Sequence, residues 1–198
     1  MNAMFLLYNV IAAVVTVTVH GFVKAFVSSK LGDPLPKRDG RVTLNPIKHI
    51  EPIGFIIMVA FGFGWAKPVE TASIYYQDRR RGTLITHTLP SVANLLFGII
   101  LFSAVSIVNV SRDVGSLLTI IALFNLRNAF FNIIPIHPLD GAKVLAALRN
   151  PNQVIGMANK QMFLQIILVM AVFWGFVGRI IDSVCWTIFS FISRIYGA

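Results

Sequence analysis

The sequence predicts an all-α polytopic membrane protein, because its composition, hydropathy and charge placement all favour this fold class. Of the 198 residues, 56% are hydrophobic and only 13% are charged, and the mean hydropathy is +0.75. A soluble domain carries about a quarter charged residues and cannot bury this much apolar surface at such a length. The lipid bilayer is therefore the expected environment, and a soluble globular protein is excluded.

Apolar runs long enough to cross a bilayer recur along the chain. A transmembrane helix needs about 20 predominantly apolar residues, and four runs meet this requirement: residues 4–31, 82–110, 115–136 and 161–178. The apolar run 52–65 is shorter, which favours a re-entrant or broken helix. Residues 180–195 are also short for a span, so a short span or a helix lying in the interface is expected there.

The polar stretches between these runs predict one small β-element. Residues 41–44 alternate polar and apolar side chains before Asn45 and Pro46 end the pattern, as a short strand does. We expect two parts of the chain, a membrane core over residues 1–150 and C-terminal transmembrane or interfacial helices over residues 151–198.

The net charge of +9 indicates orientation in the membrane rather than nucleic-acid binding, since the basic residues lie in short segments between apolar runs. If the N-terminus is outside, the other loops on the outside face hold only Arg112 and Arg179. The cytoplasmic loops then hold Lys30, Lys37, Arg38, Arg41, Lys48, Lys67, Arg79, Arg80, Arg81, Lys143, Arg149 and Lys160. This asymmetry predicts an outside N-terminus, with the loops after the first and third spans, which carry the motifs described below, in the cytoplasm.

Ionisable residues within or beside the apolar runs are the candidates for function, because charges inside a membrane are costly. His20 and Lys24 are four residues apart and share one helix face, Arg127 lies inside a span, and Asp140 follows the end of one. The zinc motif H-E-x-x-H has the same spacing on a helix. Here that slot is occupied by His20-Gly21-Phe22-Val23-Lys24.

These residues belong to a series of motifs that resembles the site-two protease family of intramembrane zinc metalloproteases. The first block of that family is matched by residues 20–25 (HGFVKA), 31–34 (LGDP) and 40–46 (GRVTLNP). Further matches are residues 52–54 (PIG), 64–69 (GWAKPV), Asn94, 132–135 (NIIP) and 138–141 (PLDG). Residues 1–150 are accordingly identified as a site-two-protease-like core.

The resemblance implies a zinc site held by two His and one Asp, with a Glu that activates water. By position His20 and Asp140 match two of the ligands, whereas Lys24 replaces the second His and Gly21 replaces the Glu. The motif residues Asn94 and Asn132 are expected to be polar groups of the substrate groove. The usual Gly-Pro pair before Asn94 is changed to Pro90-Ser91.

These departures predict a catalytically inactive pseudoprotease. A general base typically contributes 10²–10⁴-fold to a rate, and a catalytic zinc needs three protein ligands. We therefore expect no intact catalytic residue, no bound cofactor, and a structural ion pair between Lys24 and Asp140. The expected partner is a membrane protein or transmembrane peptide, held in the inherited groove as an extended segment at the edge of the short strand.

Two alternatives stay open at this level. His20, His137 and Asp140 would give a rearranged zinc protease site, although a turn histidine such as His137 is more often held by a local hydrogen bond. Lys24, Arg127 and Asp140 would instead line a polar cavity for a small solute or an ion.

Overall fold

The structure is a computed structural model, which describes residues 3–108, 110–149 and 163–196. All regular elements in these ranges are helical. The helices are α1 (Ala3–Lys30), α2 (Leu35–Arg38), α3 (Pro52–Phe61), α4 (Arg79–Ile107), α5 (Arg112–Ile133), α6 (Asp140–Leu148), α7 (Phe163–Phe173) and α8 (Phe176–Tyr196). Two short 3-10 turns cover Pro46–Lys48 and Ser73–Tyr75.

Four of these helices, α1, α4, α5 and α8, are long and apolar enough to cross a membrane. The all-α polytopic fold class is therefore confirmed. The first three spans coincide with the predicted runs, and α3 is the short apolar helix expected after residue 52.

The C-terminal helices differ from the prediction. The expected span 161–178 is interrupted, because α7 ends at Phe173 and Gly175 adopts a left-handed φ of 71° that no helix continues through. Residues 161 and 162 lie outside the described residues. The longer apolar helix is α8, with 21 residues. It is long and apolar enough to span, so of the two expectations for residues 180–195 the structure favours the span over the interfacial helix.

The β-element predicted at residues 41–44 is wrong, since this segment forms a bend and the described residues contain no strand. Its backbone has no neighbouring strand to pair with. The Arg41 side chain instead turns inward and donates from Nη2 to the carbonyl of Lys67 (2.7 Å) and from Nη1 to that of Pro68 (2.9 Å). The guanidinium therefore holds the loop against a later extended segment.

The core of the fold is formed by α1, α4 and α5, which pack against one another. Small residues allow this close approach, as is usual between membrane helices. Ala12, Ala13 and Ala122 are fully buried, and a Cβ on Gly98 would lie 2.9 Å from the carbonyl oxygen of Ala122. These three helices bring their polar residues face to face.

Helix α8 is attached to this core by an ion pair and by aromatic packing. Arg127 of α5 donates to both carboxylate oxygens of Asp182, at 2.6 and 2.9 Å. The rings of Phe102 and Phe189 stack with centroids 3.7 Å apart, and Cys185 is fully buried between the helices.

Much of the chain between α3 and α4 is extended and packs against α3. Glu51 caps α3 by accepting from the amides of Ile53 and Gly54. A Cβ on Gly54 would meet the Trp65 carbonyl at 2.4 Å, so the missing side chain lets the extended segment lie directly on α3. This packing places residues 65–69 beside the polar ends of α1 and α5.

Candidate functional site

The site is centred on the buried carboxylate of Asp140, the first residue of α6. Its Oδ2 lies 2.9 Å from His20 Nε2, and its Oδ1 lies 2.8 Å from His87 Nδ1. The Lys24 ammonium also contacts Oδ1. Three side chains from α1 and α4 therefore share one carboxylate that is only 3% exposed.

Local sequence explains how these groups meet. His20 and Lys24 are one turn apart on α1, so both side chains face α6. Gly141 follows Asp140, and a Cβ there would lie 2.1 Å from the Ile133 carbonyl, so only glycine lets α6 begin against the end of α5. Asn128 of α5 lies near His20, with its Nδ2 3.2 Å from His20 Nδ1.

His87 is a residue of this site that was not predicted from the sequence. No spacing relates it to His20 or Asp140, because it comes from a different helix. A signal was nevertheless present, since His87, Ser91 and Asn94 recur at the spacing of one helix face within an otherwise apolar run. All three are buried on the inner side of α4.

Gly21, the position that corresponds to the family's general base, is packed against His49. The buried His49 ring approaches the Thr43 carbonyl through Nε2 at 2.8 Å, whereas Nδ1 has no hydrogen-bond partner among the described residues. A Cβ on Gly21 would lie 2.2 Å from that Nδ1. Burial lowers the pKa of His49 below its ordinary value. Any side chain at position 21 therefore requires this neutral ring to move.

The structure does not bring together the alternative ligand set of His20, His137 and Asp140. His137 is exposed in the turn between α5 and α6, whereas its neighbours Pro138 and Leu139 face the site. In residues 3–108, 110–149 and 163–196, no three His, Cys, Asp or Glu side chains are arranged to hold a metal ion. His137 is thus exposed and does not line the cavity beside Asp140.

The residues around Asp140 do not fit the zinc ion that the resemblance implies. Both carboxylate oxygens are already approached by protein groups, and one of these groups is an ammonium. A protonated lysine is not a ligand, and its charge repels a dication. Only two of the three protein ligands of a catalytic zinc site are present at the matching positions.

A polar cavity of about 50 Å³ opens beside Asp140. Lys24, Asn128 and Asn132 line it together with residues 65–69, and Asn132 Nδ2 donates to Asn128 Oδ1 at 3.0 Å. An apolar cavity of about 30 Å³ adjoins it and shares Trp65, Pro138 and Leu139 as lining residues. We call the first of these the polar pocket and the second the apolar pocket.

Two predicted residues lie away from the polar pocket. Asn94 was expected in the groove, but it is fully buried between helices and donates to the Thr16 carbonyl and to Asn125 Oδ1. Arg127 pairs with Asp182 and does not line the polar pocket. Lys24, Arg127 and Asp140 therefore do not form one common cavity, as the solute or ion pathway would require.

The extended segment 65–69 presents backbone groups beside the polar pocket. Lys67 is held on both sides, since its amide donates to the His49 carbonyl at 2.8 Å and its carbonyl accepts from Arg41. The amide and carbonyl of the neighbouring Ala66 have no hydrogen-bond partner within the described part of the chain. The segment is thus a fixed edge with backbone groups available for pairing.

Comparisons with known proteins agree with the resemblance. The model of Peptidase family M50 matches residues 3–174. The Bacillus subtilis (strain 168) protein named "Putative zinc metalloprotease YwhC" is 32% identical over 153 residues, which cover 73% of this chain and 70% of that protein. No solved structure matches the chain significantly. The protein therefore belongs to Peptidase family M50, the site-two protease family.

Proposed function

We propose that this protein is a non-catalytic member of Peptidase family M50 that binds an extended segment of another membrane protein. The observation that carries the proposal is the contact of the Lys24 ammonium with Asp140. A cation supplied by the chain takes the place that the family gives to a metal. The carboxylate keeps a positive neighbour, and α1 remains linked to α6.

The loss of catalysis follows from two positions on α1. Gly21 offers no carboxylate to take a proton from water, and a positioned general base typically contributes 10²–10⁴-fold. Lys24 removes a ligand and adds a charge that opposes a dication. Either change alone would impair hydrolysis, and both occur within one helical turn.

Partner binding is supported by the edge at residues 65–69 and by the two pockets beside it. An extended peptide that pairs with the free backbone groups of Ala66 would add a strand to this edge, which is a common mode of peptide recognition. Its side chains would alternate between the two sides of the strand. The polar pocket and the apolar pocket then accept side chains of different character.

Zinc content and peptide cleavage test the loss of catalysis. Purified protein and a Gly21→Glu, Lys24→His double variant are compared for bound zinc and for cleavage of a model transmembrane substrate. We expect neither zinc nor cleavage in the unchanged protein, and zinc in the double variant. A Lys24→Met variant is the matched control, because it removes the charge without adding a ligand.

Stoichiometric zinc or cleavage in the unchanged protein would contradict the proposal directly. Because the His49 ring must move to admit a glutamate in place of Gly21, the double variant is also prepared in a His49→Ala background. Zinc in either background supports the assignment of Lys24 as the replacement for the second histidine ligand.

Photo-crosslinking tests partner binding separately from catalysis. A photoreactive amino acid replaces Lys67, which is exposed at the polar pocket, and cross-linked membrane proteins are identified. Ala66→Pro removes the backbone amide that would pair with the partner, whereas Ala66→Val keeps it. We expect the cross-link to disappear in the proline variant only. Equal cross-linking in both variants would exclude pairing at this edge.

A further inference from the structure

A second group of polar residues lies deeper in the membrane than the Asp140 site. Thr16 of α1, Ser91 and Asn94 of α4, and Asn125 of α5 lie near the middle of their helices. At most 3% of the surface of each residue is exposed. We call these four residues the mid-membrane cluster.

Three atoms of the mid-membrane cluster have no hydrogen-bond partner within the described residues, namely Thr16 Oγ1, Ser91 Oγ and Asn94 Oδ1. Hydroxyl groups inside helices often bond the carbonyl four residues earlier. Thr18, two residues after Thr16 on α1, donates from Oγ1 to the Val14 carbonyl at 2.7 Å. Thr16 and Ser91 are buried in their helices without such a bond.

The backbone adds a carbonyl that lacks its usual helical donor. Pro90 lies inside α4 and has no amide hydrogen, so the Thr86 carbonyl loses the donor that it would have in a regular helix. Proline is tolerated in membrane helices where side chains or ordered water satisfy the freed carbonyl. The Ser91 hydroxyl does not do so, since it has no partner among the described residues.

These groups lie close together across the helix interface. Asn94 Nδ2 donates to the Thr16 carbonyl at 3.3 Å and to Asn125 Oδ1 at 3.1 Å. Ser91 lies about one turn from Asn94 on α4. Two buried hydroxyls, an amide oxygen and the carbonyl that Pro90 leaves without its helical donor thus belong to neighbouring turns of α1 and α4. A buried water typically makes two to four hydrogen bonds to such groups.

The mid-membrane cluster is continuous with the Asp140 site on all three helices. Thr16 is one turn from His20 on α1, Ser91 is one turn from His87 on α4, and Asn125 is nearly one turn from Asn128 on α5. Beyond the cluster, toward the N-terminus of α1, Ala12 and Ala13 are fully buried, and Gly98 packs tightly on Ala122. The polar column is therefore closed at its far end.

We propose that the mid-membrane cluster is a water-binding site that is reached only from the side of the polar pocket. The bound water donates to Asn94 Oδ1 and to the Thr86 carbonyl and accepts from the hydroxyls of Thr16 and Ser91. This satisfies polar groups that lipid cannot satisfy. The column ends at the mid-membrane cluster and provides no route across the bilayer. The inference does not depend on the proposed function.

Silver-ion accessibility tests whether water reaches the cluster. In a Cys185→Ala background, a single cysteine is placed by Ser91→Cys or, as a control one turn beyond the cluster, by Ala12→Cys. Ag⁺ reacts with the thiolate, which forms only where water is present. We expect the thiol at position 91 to be blocked on the order of tenfold faster than that at position 12. Equal rates would overturn the proposal.

Thermal unfolding of two valine variants provides a second test. If Thr16 bonds a buried water, Thr16→Val removes a bond and lowers the Tm by about 2–4 °C. If the site is dry, the same change removes an unsatisfied hydroxyl and raises the Tm. Thr18→Val is the matched control on the same helix. A rise for Thr16→Val relative to that control would contradict the water site.

Discussion

At the level of single residues, one buried carboxylate, that of Asp140, gathers side chains from two helices. Asp140 accepts from histidines on two helices and contacts the Lys24 ammonium, in a place that is almost fully buried. A buried charge is tolerated only when it is paired and hydrogen-bonded. Each of the buried charges of Lys24 and Asp140 is therefore stabilised by the other. Gly21 supplies no carboxylate beside them.

Removal of the lysine charge tests this dependence. Lys24→Met leaves the Asp140 carboxylate without its cation, and we expect a loss of about 3–5 kcal/mol in the free energy of unfolding. A second change, Asp140→Asn, should restore part of that loss. Lys30→Met, at the exposed end of α1, is the control. If Lys24→Met unfolds at the same denaturant concentration as the unchanged protein, the ion pair has no structural role.

The contact between Gly21 and His49 gives a second prediction at this scale. Gly21→Ala forces the His49 ring to move, and such overpacking costs about 1–3 kcal/mol. The cost should be smaller in a His49→Ala background, where the ring is absent. Denaturation of the four proteins measures the coupling. An equal loss in both backgrounds would mean that the two residues do not interact.

His20, Lys24 and Asp140 were identified from the sequence because their motifs have fixed spacings. His87 and His49 were not, because each reaches the site from an element whose position along the chain says nothing about its distance from Asp140. His137, by contrast, lies close to Asp140 in sequence and yet does not line the polar pocket. Proximity in sequence to Asp140 therefore does not by itself place a side chain in the pocket.

At the level of elements, apolar length was sufficient to predict α1, α4 and α5, because a span must be continuous and apolar. It was insufficient for α7 and α8, where the turn at Trp174 and Gly175 divides one apolar stretch from the next. The alternation at residues 41–44 predicted a strand, but a strand needs a neighbour. The Arg41 guanidinium occupies that side of the loop instead.

The attachment of α8 depends on the ion pair between Arg127 and Asp182. Asp182→Asn leaves the guanidinium without its charged partner, so we expect α8 to separate more readily from α4 and α5. The buried thiol of Cys185 reports this motion, because N-ethylmaleimide should label it several-fold faster in the variant. Asp113→Asn, in the exposed first turn of α5, is the control. Unchanged labelling would show that packing alone holds α8.

At the level of the whole molecule, the distribution of Lys and Arg among the loops predicts which face of the protein is cytoplasmic. The chain from α1 to α4 carries most of the loop cations, and these favour the cytoplasmic face. We propose that the N-terminus is outside and that the site opens toward the cytoplasm. The edge at residues 65–69 would then meet a partner segment on that side.

Reporter fusions test this orientation. A reporter joined after Gln77, before α4, should be active in the cytoplasm, and one joined after Ser111, before α5, should be active outside. The span α4 separates the two fusion points, so the two reporters should lie on opposite sides of the membrane in either orientation. Activity of one reporter and not of the other therefore also shows that α4 is inserted. The reverse pattern would contradict the orientation and place the site outside the cell.

We propose that an ammonium from the chain occupies the place of the family's metal at Asp140. An experimental structure of protein crystallised with zinc, with anomalous diffraction data collected at the zinc edge, tests this claim most directly. We predict that Lys24 Nζ lies within hydrogen-bond distance of Asp140 and that no anomalous peak lies between His20 and Asp140. A zinc peak bound by His20 and Asp140, with Lys24 turned away, would contradict the claim.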